Sequence, residues 1–217
     1  MSEESAPWTL ARLSKPVEKQ EWFRVGGRPL EPLHTLDTSG RVLYVGSFSK
    51  TLLPSLRLGY VVAPPSLRSA LRSAKLVADW HSPPFLQVAL AQFIEDGLLA
   101  RHIRKARRQY QERRERLESA LHRHLGDSLK LVPGEAGLHL SALFRDSRVD
   151  PDAVVRLARE AGVGVSAVSR FSVTRGPVRG LVIGYGAIRP SAIDDGVLRL
   201  AECVRARGAA RSRRSLK

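Results

Sequence analysis

Residues 46–60 read GSFSKTLLPSLRLGY, and they gather residue types that work together in few chemistries. Ser47 and Ser49 precede Lys50, and Arg57 follows seven residues later. Small hydroxyl residues in a turn bind anions through side chains and backbone N–H groups. A guanidinium adds a planar fork that suits phosphate. Most lysines keep their amine in water. Here both flanks are apolar, so the turn is expected to lie against a core with its amine partly withdrawn from water. Desolvation disfavours the ammonium form, and the free amine is the nucleophile. A lysine, hydroxyls and an arginine together are what pyridoxal 5′-phosphate (PLP) requires, so PLP is the cofactor expected and no metal is.

The elements that must hold these residues can be read from pattern. RVLYVGSF (41–48) and RLGYVVAP (57–64) are apolar and β-branched and predict buried strands, with Pro54 as a breaker between them. Upstream, 26–37 is rich in Gly and Pro and predicts a loop. SLRSALRSAKLVA (66–78) predicts a helix with Ser66 as N-cap. A second helix starts at Ser82-Pro83-Pro84 and stops at Gly97. A long helix follows, on which Ile103, Ala106, Tyr110, Leu117 and Leu121 share a face interrupted at Arg113 and Arg114. Past Pro133-Gly134 come a strand (137–144), a helix (150–162) capped by Asp150 and stopped by Gly162, strands at 163–169 and 180–186, and a last helix from Pro190. Alternating strands and helices predict an α/β or α+β domain.

Composition bounds the rest. A chain of 217 residues, 43% hydrophobic, can bury one large core or two small ones. One cysteine, Cys203, excludes an intramolecular disulfide and fits a reducing compartment. No apolar run is long enough to cross a bilayer, and the N-terminus lacks a signal peptide's apolar core, so a cytoplasmic protein is expected. The net charge of +15 raises nucleic-acid binding, but its excess is concentrated in 101–125 and in the tail 205–217. The first block reads foremost as the wet side of the long helix.

The stretch VGSFSKTLLPSLRLGYVVAP resembles the lysine motif of fold-type I PLP enzymes, the aminotransferase class I/II family. It is most similar to the aminotransferase-like domain of MocR-type (GntR family) transcriptional regulators, whose segment runs close to VGTFSKTL-P-LRLGY. EWFRVGGRPLEPLHTLDTSGRV, the helix pair after the lysine, and GYGAIRPSAIDDGVLRLAECV extend the resemblance over 21–205. It implies the C-terminal part of a fold-type I transferase, α/β in class: the last strands of the large-domain sheet, a long linking helix and a small C-terminal domain. The expected organisation is a poorly ordered start (1–20), a large-domain remnant (21–100), a small domain with the linking helix (101–205) and a basic disordered tail (206–217). Lys50 is implied as the Schiff-base lysine, with Ser47 and Arg57 on the cofactor phosphate and Ser49 beside them. A C-terminal-domain arginine is implied for a substrate carboxylate, and Arg175, Arg179 and Arg189 are the candidates.

The family domain is much longer than this chain, so the resemblance also implies N-terminal truncation. Where the family reads close to EDDYDS, this chain has PVEKQEW, residues 16–22. Val17 stands at the aspartate that would pair with the cofactor ring nitrogen, Lys19 stands at the tyrosine, and Glu18 is one position off. Three readings follow: an amino-group transferase, an effector-sensing domain that binds PLP and an amine, or a degenerate fragment with neither activity. The expected partners are a small amino donor or effector and a second copy of the chain. Nucleic acid is expected only through a domain outside this chain, and no membrane is expected.

Overall fold

The structure, a computed structural model, describes residues 33–80, 83–134, 137–172 and 178–212, with side chains as far as Ala206 in the last helix. The chain forms two compact units, one up to Ala106 and one from Arg107.

The first unit opens with a short helix, α1 (Leu33–Leu36), inside the stretch expected as loop. Asp37 then ties the chain into a turn. Its carboxylate accepts from the backbone N–H groups of Ser39 (2.9 Å), Arg41 (2.6 Å) and Val42 (2.7 Å). These donors, Val42 foremost, hold its carboxyl below the ordinary aspartate range. Strands β1 (Tyr44–Ser47) and β2 (Gly59–Val62) form an antiparallel pair, shorter than the apolar runs that predict them. Gly46 lies opposite Tyr60, where a Cβ would fall 2.1 Å from the ring, so the tyrosine covers the strand backbone only because position 46 has no side chain.

Three helices follow: α2 (Arg68–Asp79), α3 (Pro84–Glu95) and α4 (Leu98–Leu125). Ser66 does not cap α2. Pro65 starts a 3-10 turn over Pro65–Leu67, and the chain enters α2 from it without a side-chain cap. Gly97, at φ +70°, makes the break between α3 and α4 that its type predicts. The core of this unit is Phe48, Leu90 and Leu99, ringed by Leu52, Leu58, Tyr60, Phe93, Ile94 and Ile103. The helix α2 buries no residue among those described.

The second unit is a four-stranded sheet in the order β3-β4-β6-β5, every neighbouring pair antiparallel. Its strands are β3 (Leu129–Val132), β4 (His139–Phe144), β5 (Ser166–Ala167) and β6 (Gly180–Gly184). Helices α5 (Pro151–Glu160) and α6 (Ile193–Ser212) complete it. Asp150 caps α5 by accepting from the Asp152 N–H at 3.1 Å. One sheet face is core: Leu140, Ala142 and Phe144 of β4 and Leu181 and Ile183 of β6 pack with Val154, Ile193 and Leu121. The arginines that interrupt the apolar face of α4 are tied to backbone. Arg113 donates to the Gly186 carbonyl, and Arg114 donates to the Gly134 carbonyl and to Glu118. Both units mix helix and sheet, as the alternating pattern predicts, and no helix among the described residues is long and apolar enough to cross a membrane.

Tyr185 follows β6 and is fully buried, and its hydroxyl donates to the Gly137 carbonyl at 2.6 Å. Burial pushes this hydroxyl's pKa up. The native state therefore keeps a proton that the unfolded chain loses at about pH 10. Its contribution is whole below that pH and is lost as pH rises through the folded value. Tyr185→Phe is expected to cost about 1 kcal/mol at neutral pH for the lost hydrogen bond. It is also expected to flatten the fall in urea stability between about pH 9 and 11. An unchanged pH slope in the variant would assign that fall to other groups.

Candidate functional site

The lysine sits where β1 gives way to a tight turn. Phe48, fully buried, anchors that turn from both sides. Its N–H donates to the Leu58 carbonyl at 2.9 Å, and its own carbonyl accepts from Thr51 (3.1 Å) and Leu52 (2.8 Å). With Phe48 pinned inward, its neighbours Ser47 and Ser49 are half-buried and Lys50 is exposed. The two serine hydroxyls lie 3.0 Å apart in a hydrogen bond, and the Ser49 N–H donates to Ser47 Oγ at 3.2 Å. Two hydroxyls sharing one such bond leave one proton for an outside acceptor.

Arg57 follows a 3-10 turn over Pro54–Leu56 and adopts φ 50°, ψ 30°. An arginine in the left-handed region carries roughly 1–2 kcal/mol of steric cost. Residues held in such conformations cluster at ligand clamps. Gly59, two residues on, would place a Cβ 2.8 Å from the Gly46 carbonyl, so β2 crosses close to β1 and brings Arg57 back towards the start of the turn. The guanidinium of Arg57 makes no ion pair among the described residues.

Sequence reasoning missed two supports. Thr51 is 3% exposed, and its Oγ1 finds no partner among the described residues, an uncommon state for a buried hydroxyl. Its carbonyl accepts from the ring of His102 on α4 at 2.9 Å, which makes Nε2 the protonated nitrogen. Thr51 adjoins the lysine and could have been included on that ground. His102 lies 51 residues away and carries no local signal.

The expectation of a lysine withdrawn from water is corrected: Lys50 is exposed, because the inward-facing positions of the turn are taken by Phe48 and Thr51. The candidate carboxylate arginines divide. Arg175 lies outside the described residues, as do Val17, Glu18 and Lys19. Arg179 is exposed and donates to the Val149 carbonyl at 3.2 Å, and Arg189 is exposed at the entry to the 3-10 turn Pro190–Ala192. Both belong to the second unit, and Lys50 to the first. The first unit thus brings four of the expected residues, Ser47, Ser49, Lys50 and Arg57, onto one hairpin and its connection. A spare hydroxyl proton, a half-buried turn and a guanidinium without a carboxylate partner among the described residues fit a phosphate. An accessible amine beside them fits an aldehyde. The donor set suits PLP.

Comparisons with known proteins bear on the family and the fold. A family model described as aminotransferase class I and II matches residues 19–183. The chain is 38% identical over 175 residues to the "Probable rhizopine catabolism regulatory protein MocR" of Rhizobium meliloti, which covers 81% of this chain and 35% of that protein. It is 30% identical over 183 residues to aromatic-amino-acid aminotransferase 1 of Thermococcus litoralis, covering 84% of this chain and 44% of that one. Among solved structures it resembles the Pyrococcus horikoshii kynurenine aminotransferase in complex with PMP. That likeness has a TM-score of 0.74 at 28% identity and covers 85% of this chain and 46% of that one. The chain spans about a third of the length of the regulators it matches. Its architecture is part of the fold-type I aminotransferase fold, and the family and its neighbours imply pyridoxal phosphate as cofactor. With the family matched over most of its length, the chain belongs to the aminotransferase class I and II family.

Proposed function

We propose that this chain is a PLP-binding domain in which Lys50 bonds the cofactor and Ser47, Ser49 and Arg57 hold its phosphate. The observation that carries the reading is the hairpin and its connection, which carry two hydrogen-bonded serines, an accessible lysine and an arginine in the left-handed region. When bound, PLP supplies an aldehyde that condenses with amines and a ring that withdraws electrons from the attached carbon. The chain's own residues would do the rest. The serine hydroxyls and the Ser49 turn orient the phosphate, and Arg57 balances its charge. Lys50 Nζ would hold and return a proton at the α-carbon of a bound amino compound. One of Arg175, Arg179 and Arg189 would take a carboxylate of the amino compound.

Two uses of such a site are supported by different relatives. Likeness to an aromatic-amino-acid aminotransferase supports amino-group transfer. Likeness to the regulatory protein MocR supports a regulatory use with DNA bound through another domain, and the proposal adds effector sensing by a cytoplasmic homodimer. The test is a PLP titration of the full chain followed by addition of amino donors. A long-wavelength absorbance band that saturates with PLP is expected, and its absence sinks both uses. A band that amino donors bleach, with release of a 2-oxo acid, marks transfer. A band that shifts without release marks sensing.

A further inference from the structure

The second unit packs one face of its sheet into its core. On the other face Ser141, Val182 and Ser166 stand in a row across β4, β6 and β5, and His139 stands opposite Gly184. A cavity of about 460 Å³ is lined by His139, Ser166, Val182 and Gly184 together with α5 and residues 163–165. Its volume is within the roughly 300–1,000 Å³ of small-molecule sites. Its floor is apolar, from Val155, Val163, Val165 and Val182. Its remaining wall is cationic: Arg156 and Arg159 of α5, Arg170 of the 3-10 turn after β5, and the imidazole of His139. No aspartate or glutamate lines it. The five other arginines of this unit whose ion pairs are described face carboxylates, as Arg114 faces Glu118 and Arg199 faces Asp195. These three do not. Phe171, next to Arg170, is 67% exposed, leaving an aromatic ring in water at the mouth.

We propose that this cavity binds a small organic carboxylate with an apolar or aromatic body. The guanidinium forks of Arg156, Arg159 and Arg170 match a carboxylate's two oxygens. The valine floor and Phe171 take the body, as few polar groups over an apolar lining do in ligand sites. Arg156 and Arg159 lie three residues apart on α5 and so share a helix face. A duplex phosphate backbone would be served by a convex basic surface and gains nothing from the apolar floor. The site is independent of the lysine reading: it lies wholly in the second unit and needs no cofactor.

The test titrates the isotope-labelled, cofactor-free full chain with 3-phenylpropionate, which has neither an amine nor a carbonyl to react, and follows amide shifts by NMR. Saturable shifts are expected at His139, Ser166 and Phe171. Arg170→Ala and Arg159→Ala are each expected to weaken binding about 10-fold, the scale of one lost charge-assisted hydrogen bond. The neutral isostere 3-phenylpropionamide should bind at least about 10-fold more weakly. A Cβ at Gly164, on the cavity wall, meets nothing within 4 Å, so Gly164→Leu has room to leave the backbone and is expected to occupy the cavity and abolish binding, with circular dichroism checking that the fold is kept. Absence of saturable shifts overturns the proposal. So do equal affinities for acid and amide, indifference to the arginine substitutions, or inorganic phosphate shifting the same amides as tightly. Failure here leaves the PLP titration untouched, and failure there leaves this site standing.

Discussion

A full-length chain carrying Lys50→Ala is expected to emerge from incubation with PLP and borohydride reduction with no cofactor attached, whereas the unsubstituted chain carries one on residue 50, located by peptide mass. Lys50 is exposed, so removing it leaves no cavity and the fold should be unchanged. Arg57→Ala should behave differently. It keeps the amine and loses the phosphate partner, so covalent attachment survives at higher PLP. A hydrogen bond to a charged group is worth about 1.5–3 kcal/mol, which is roughly 10–100-fold in affinity. Pyridoxal, which lacks the phosphate, should bind both forms alike. Arg57 also stands at φ 50°, and its replacement could act through the turn instead. Arg57→Gly separates the two: glycine relieves the left-handed strain but offers no guanidinium. It should lose as much PLP affinity as Arg57→Ala while being the more stable by about 1 kcal/mol. Recovery of PLP affinity in Arg57→Gly would show that the backbone, and not the guanidinium, is what the cofactor needs.

What could be read from the sequence follows the range of the interactions involved. Asp150 and Gly162 mark α5 because capping and stopping are decided within a few residues. The lysine turn is legible for the same reason: Ser47, Ser49, Lys50 and Arg57 are joined by one short connection. Ser66 fails as a cap because Pro64-Pro65 imposes a tighter turn just before it. Strand β3, LKLV after the long helix, is too short and too polar at Lys130 to stand out, and exists because β4 pairs with it. The exposure of Lys50 was not legible, since apolar flanks locate a turn but do not say which of its residues face inward, and Phe48 and Thr51 take those places. The cationic cavity was least legible. Arg156 and Arg159 on α5, Arg170 after β5 and His139 on β4 come from three separate elements and line one cavity only in the folded unit, in which β4, β6 and β5 pair.

That pairing has a point where a single methyl group should break it. Gly180 opens β6, and a Cβ there would lie 2.5 Å from the Ala142 carbonyl oxygen, 2.9 Å from Leu143 Cδ2 and 3.1 Å from Val168 Cγ2. Ala142 is fully buried in β4 between two partner strands, so its oxygen cannot retreat without loss of the ladder. Gly180→Ala is expected to cost about 3 kcal/mol, the upper part of the overpacking range, and to lower the melting temperature on the order of 10–20 °C. Gly184, at the other end of the same strand, is the control. A Cβ there meets only the His139 ring, at 3.3 Å, and that exposed imidazole can turn aside. Gly184→Ala should stay within about 1 kcal/mol of the parent, helped by the lower backbone entropy of alanine in the unfolded chain. No tryptophan lies in the sequence of the second unit, so tryptophan fluorescence is a poor reporter of the event. Hydrogen exchange at the amides of β4 and β6 reads it directly. Equal protection in the two variants would mean that the β4–β6 contact is loose enough to admit a methyl group, and would remove the rigid sheet on which the carboxylate cavity depends.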